Sequence, residues 1–113
     1  ILNNIFKNAI DATKDLPNPN ITITSKLLTN SHKQYCELKI IDNGNGFDPI
    51  FLKDVFKPYV TTKPKGTGLG LAIVKKLVQE HFGFVSAENN PHSGACITIL
   101  LPVIQKPKIK NNR

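Results

Sequence analysis

A chain of 113 residues with 40% hydrophobic and 20% charged side chains fits one small globular domain rather than a disordered segment. The net charge of +7 raises nucleic-acid binding, yet the excess lysines gather in "KPKIKNNR" and around a glycine-rich loop, with no recognition-helix, zinc-finger or RNP-type signature beside them. No run reaches the ~18 apolar residues of a membrane span, no signal peptide is visible, and Cys36 and Cys96 match no C-x-x-C or zinc spacing, which favours two reduced, buried thiols in a cytosolic setting. Methionine is absent, and the chain opens directly on an apolar-periodic segment with no capping residue ahead of it, so it reads as a piece of a longer protein.

Residues 2 to about 14 predict an amphipathic helix, with Leu2, Ile5, Phe6, Ala9 and Ile10 on one face and Asn4, Asn8 and Asp11 in a narrow polar stripe on the other. "LPNPN" breaks it. Ile21, Ile23 and Leu27 alternate as a strand, and the turn "TNSHKQ" leads to "YCELKII", where Cys36, Leu38 and Ile40 share a face; the two runs read as a hairpin. "DPIFLKDVF" predicts a short helix with Asp48 as N-cap and Pro49 in its first turn. Residues 57 to 68 lack periodicity and read as a lysine-bearing mobile loop. The helix over about 69 to 82 buries Leu71, Val74, Leu77 and Val78 and stops at Gly83. "FGFVSAEN" and "GACITILLP" are strand-like around the turn "NPHSG", and the residues from 105 onward read as a basic, frayed tail. Helix, hairpin, short helix, loop, helix, hairpin is the order of a two-layer α/β sandwich.

Three features carry chemistry. The stripe Asn4, Asn8, Asp11 is either an ordinary solvated face or a set of side-chain oxygens at helical spacing for a hydrated hard cation, which prefers oxygen ligands. Asn is a weak helix former, which argues against a merely solvated role. Asp42-Asn43-Gly44-Asn45-Gly46 is turn chemistry, and it also sets one carboxylate at a strand end beside bare backbone. Such a carboxylate only accepts hydrogen bonds and suits an exocyclic amine such as that of adenine. Gly66-Thr67-Gly68-Leu69-Gly70 is neither a Walker A nor a Rossmann fingerprint. It shares their logic, because glycine lets backbone approach phosphate at the positive end of a helix, and Lys57, Lys63 and Lys65 add charge nearby.

In order, "NNIFKNAIDA", "DNGNGFD", "VFKPYVTTK" and "GTGLGLAIVKKL" resemble the N, G1, F and G2 boxes of the histidine-kinase-type ATPase domain, shared with DNA gyrase B, HSP90 and MutL. The run "PYVTTKPKGTGLGLAIVKK" is most similar to bacterial sensor histidine kinases of the NtrB/NtrY kind. The resemblance implies a mixed, mostly antiparallel sheet with helices on one face over residues 1–104, with a first strand or strands preceding residue 1. It implies Asn8 as the Mg²⁺ ligand, Asn4 supporting metal or phosphate, and Asp42 accepting from the adenine of ATP, with Gly44 and Gly46 letting the base lie against the backbone. Phe56 would anchor a nucleotide lid containing Thr61, Thr62 and Lys63, and the amides of Gly66, Thr67, Gly68, Leu69 and Gly70 would wrap the phosphates. The family is variable at Asp11.

Asn4 stands where hydrolysing relatives carry a glutamate that activates water, and asparagine cannot act as that base. The resemblance therefore implies phosphoryl transfer to a histidine on a separate phosphoacceptor and dimerisation domain, and onward to a response regulator. His32, His81 and His92 sit in no matching context for the acceptor. The segment itself would lie in the cytoplasm without touching a membrane, whether or not its parent is anchored in the inner membrane, and would dimerise only through upstream helices. An inactive truncated remnant, another ATPase of this class and a serine kinase of the anti-sigma type are the rival readings.

Overall fold

The computed structural model describes residues 1–58, 70–91 and 93–103. The first helix, α1 (Leu2–Thr13), is followed by strands β1 (Ile21–Asn30) and β2 (Lys33–Asp42), a 3₁₀ turn at Leu52–Asp54, helix α2 (Gly70–Glu80), and strands β3 (Phe84–Asn89) and β4 (Ala95–Pro102). The sheet runs β1-β2-β4-β3, and each neighbouring pair is antiparallel. The sheet of the described residues is antiparallel throughout, so the mostly antiparallel sheet with helices on one face is as expected, and no parallel pair occurs among the described strands.

The register fixes the two faces. Ile23 stands opposite Ile40, Ile40 opposite Ile97, and Ile97 opposite Ala87, so these residues share one side of the sheet. Both helices lie against that side and against each other. Ile5, Ile40, Ile97, Ile99, Leu71, Val74 and Val78 form the core between the layers, with Val55 closing it from the loop. Removing such side chains from water is the main favourable term, about 25 cal/mol per Å² of apolar surface.

On α1 the buried line is Ile5, Ala9 and Thr13, one residue per turn. Leu2 and Ile10, expected on the core face, are exposed, because the helix meets its neighbours along a narrower stripe than the apolar pattern suggests. Thr13 is buried because its hydroxyl donates to the Ala9 carbonyl at 2.8 Å, leaving no polar atom unpaired. On the helix side of β1, Ile23 and Leu27 remain 52% and 60% exposed. The β1–β2 turn is tighter than "TNSHKQ": Asn30 pairs with Lys33, leaving a two-residue loop in which Ser31 and His32 both have positive φ, 49° and 70°. That is a type I′ hairpin, whose twist matches its strands.

Two local expectations are corrected. The Asp48–Phe56 stretch is not an α-helix. The Asp48 carboxylate accepts from the Ile50 N–H at 3.0 Å, which makes a turn around Pro49, and only the single 3₁₀ turn Leu52–Asp54 follows. A segment this short cannot offset the nucleation cost of an α-helix. At the end of α2 the left-handed residue is Phe82, with φ 61°, rather than Gly83. The Phe82 N–H donates to the Gln79 carbonyl and the Gly83 N–H to the Val78 carbonyl, the bond pair of a Schellman cap. Gly83 is required for space, since a Cβ there would strike the Leu100 carbonyl oxygen of β4.

The cysteines are free. Cys96 is buried and Cys36 half-buried, and the register places them on opposite faces of the sheet. Among the described residues, no helix is long and apolar enough to cross a membrane.

Candidate functional site

Asp42 is the last residue of β2 and is only 8% exposed, a position a carboxylate tolerates only with hydrogen-bond partners. Its Oδ1 accepts from the Gly44 N–H at 2.9 Å and from the Ala95 N–H at 3.2 Å. Both bonds fall on one oxygen. Among the described residues no fully covered side-chain nitrogen or oxygen lacks a partner, so Oδ2, which neither bond uses, keeps access to the surface. The chain thus fixes the carboxylate by one oxygen and leaves the other able to accept from a ligand amine.

The loop after Asp42 is threaded between neighbours. A Cβ on Gly44 would lie 2.6 Å from the Ala12 carbonyl oxygen, so the loop abuts the last turn of α1. Gly46 has φ 79°, and a Cβ there would lie 2.7 Å from Asn89 Oδ1. At Gly94, with φ 92°, an added Cβ would overlap the Asp42 carbonyl, so no side chain fits. Asn43 turns the other way: its Nδ2 donates to the Asn18 carbonyl at 2.9 Å and its Oδ1 accepts from the Asn20 N–H at 2.8 Å, tying down the Pro-rich connection from α1.

Asn4 and Asn8 are half-buried on α1, one turn apart, and Asn8 is one further turn from Ala12 at the Gly44 contact. The N-box asparagines and the Asp42 loop are therefore on adjoining structure. Asp11 is half-buried on the same helix. Among the described residues no cluster of His, Cys, Asp and Glu could hold a metal ion. The donor set here is carboxamide oxygen, which suits a hard, partly hydrated cation that takes its remaining ligands from phosphate and water.

Gly70 is the first residue of α2, and a Cβ added there meets none of the described residues within 4 Å. Phe56 is half-buried against the core beside Val55. Lys57, counted as cationic loop charge, pairs with Asp54 at 3.0 Å, so its charge is partly neutralised. Thr61, Thr62, Lys63, Lys65, Gly66, Thr67, Gly68 and Leu69 lie outside the described residues, as do His92 and the basic tail. Sequence reasoning gives Asn43 no role of its own within the feature at residues 42–46 and misses Asn89, Gly94 and Ala95 as parts of this site. Asn89 reads there only as the end of a strand and Gly94 as the end of a turn, and no local pattern points from either to a loop more than forty residues earlier.

The described structure is thus a two-layer α/β domain that brings together a buried strand-end aspartate and a glycine loop lying against an asparagine-bearing helix, with a second helix opening on glycine. Over residues 1–105 the chain belongs to the family described as histidine kinase-, DNA gyrase B-, and HSP90-like ATPase. It is 38% identical over 103 residues to the nitrogen regulation protein NtrY of Azorhizobium caulinodans, an alignment covering 88% of this chain and 13% of that protein. Among solved structures, a mycobacterial sensor histidine kinase, MprB, matches with a TM-score of 0.73 and 30% identity over 88% of this chain and 67% of that one. Full-length ShkA, solved in complex with AMPPNP, matches with a TM-score of 0.74 and 27% identity over 89% of this chain and 20% of that one. The chain is thus a domain of the type found in sensor histidine kinases, and it spans a small part of the curated relative's length.

Proposed function

We propose that this domain binds Mg²⁺-ATP and presents its γ-phosphate to a histidine on a separate domain of a two-component sensor kinase, from which a response regulator takes it. The observation that carries the reading is the divided carboxylate of Asp42, with Oδ1 taking the Gly44 and Ala95 N–H groups and Oδ2 left to accept. An adenine amino group is the complementary donor. The Gly44–Gly46 backbone, lacking side chains, lets the base lie alongside.

In this reading Asn8 offers its side-chain oxygen to the cation, and Asn4 supports the cation or the phosphates from one turn earlier. Mg²⁺, when bound, neutralises charge on the phosphates during transfer. Gly66, Thr67, Gly68, Leu69 and Gly70 hold the phosphates through main-chain N–H groups at the start of α2. Phe56 anchors the segment carrying Thr62 and Lys63. Asn4 has no basic group to activate water, so the site favours transfer to a positioned nucleophile over hydrolysis.

The test is a thermal melt with and without Mg²⁺-AMPPNP. Occupancy at a hundred times Kd stabilises the native state by about 2.7 kcal/mol, which raises the midpoint by several degrees in a domain this size. An unchanged midpoint at millimolar nucleotide and Mg²⁺ counts against the reading. Single-turnover phosphorylation of a separately supplied phosphoacceptor domain from a related kinase then tests the transfer step.

A further inference from the structure

We propose that Asn89 is a positioning residue for the nucleotide site, acting by locking the far end of the loop that begins at Asp42. The proposal rests on the nucleotide reading above and adds to it a residue outside the sequence motifs. The Asn89 carboxamide makes two reciprocal bonds to one residue: the Phe47 N–H donates to Asn89 Oδ1 at 2.7 Å, and Asn89 Nδ2 donates to the Phe47 carbonyl at 2.8 Å. A carboxamide has the same donor and acceptor arrangement as a peptide group. Asn89 therefore pairs with Phe47 as an extra rung of strand would.

The register shows why this concerns the site. Asn89 of β3 stands opposite Ala95 of β4, and the Ala95 N–H donates to Asp42 Oδ1 at the end of β2. Asp42, Ala95 and Asn89 form one row across three strands. The loop leaves that row at Asp42 and is fastened back to it at Phe47, so both of its ends are set by one rigid feature. Between them Gly46 takes its left-handed conformation with Asn89 Oδ1 filling the space a side chain would use. Without the clamp, Gly44–Gly46 would sample other shapes, and nucleotide would have to select the competent one at a cost in apparent affinity. Asn43 serves as an internal contrast, since its carboxamide bonds go to Asn18 and Asn20 and not to this loop.

The experiment compares the wild-type protein with Asn89→Ala and Asn89→Ser by calorimetric titration of Mg²⁺-AMPPNP, at a temperature well below each variant's own melting midpoint. Amide NMR signals of Gly46 and Phe47 are followed in the same samples. Losing two hydrogen bonds that hold a binding loop predicts roughly a tenfold weaker Kd for Asn89→Ala, with Asn89→Ser between it and wild type, and displaced Gly46 and Phe47 signals. If Asn89→Ala does not fold, Asn89→Ser alone carries the comparison. A folded variant that binds within twofold of wild type overturns the proposal, as does an unmoved Phe47 signal, because the residue would then be merely structural or the clamp absent. Failure of the wild-type protein to bind overturns the nucleotide reading and this proposal together, so the two failures are distinguishable.

Discussion

At Gly44, Gly46 and Gly94 an added side chain would run into the protein itself, whereas at Gly70 it would meet none of the described residues within 4 Å. The first group surrounds the Asp42 loop, where the space each Cβ would take is already held by Ala12, by Asn89 Oδ1 or by the Asp42 carbonyl. The second opens helix α2, where no described residue would meet an added side chain. In the reading proposed above, the base-binding end of the site is shaped by internal contacts, and the phosphate end is the one where no described residue takes the space of an added side chain. Substitutions at the two ends should separate stability from ligand affinity.

The largest effect is expected at the first end. Gly94→Ala would force a Cβ onto the Asp42 carbonyl at a backbone angle that side chains rarely adopt. Strain and overpacking together predict a loss of about 3 kcal/mol or more in urea unfolding, and nucleotide affinity should fall with it. Gly70→Ala is the opposite probe. It leaves the unfolding midpoint unchanged or raises stability by up to about 0.5 kcal/mol, since alanine is the better helix former, while weakening Mg²⁺-AMPPNP in titration. Equal stability losses at both positions would erase the contrast. The smallest and most local effect is expected away from both ends. Phe82, left-handed and 84% exposed, caps α2 where glycine is the usual choice. Phe82→Gly should stabilise by about 1 kcal/mol in the same unfolding assay, with nucleotide affinity untouched.

The parts of this molecule legible from sequence are those governed by short-range periodicity. The alternation of Cys36, Leu38 and Ile40 placed them on the helix side of β2, and the spacing of Leu71, Val74 and Val78 gave the buried line of α2, while Leu77, expected with them, is only half-buried. The strand-like run "YCELKII" placed Asp42 at a strand end. What escaped was set by contacts between distant segments. Ile23 and Leu27 alternate as core residues do, yet no neighbour in the described structure covers them. Gly83 looked like the helix stop because glycine usually adopts the left-handed cap, but packing against Leu100 claimed it one residue further on and pushed the strained angle to Phe82. Asn89 carries no local signal at all, because its partner is 42 residues away in the chain. Asp42 itself was legible only as a candidate; the division of labour between its two oxygens depends on Ala95, 53 residues later.

That division is also the point at which the account is most exposed. Asparagine in place of Asp42 can keep Oδ1 accepting from the Gly44 and Ala95 N–H groups, but it turns the second oxygen into a donor that faces a ligand amine with the wrong polarity. Calorimetric titration of Mg²⁺-AMPPNP into wild-type protein and Asp42→Asn, both shown to be folded, tests it most directly. The prediction is one saturable site in the wild type, weakened roughly 10- to 100-fold in the variant, the range expected for loss of a charge-assisted hydrogen bond. Equal affinities in the two proteins, or no binding heat from folded wild type, would contradict the assignment of this carboxylate to adenine.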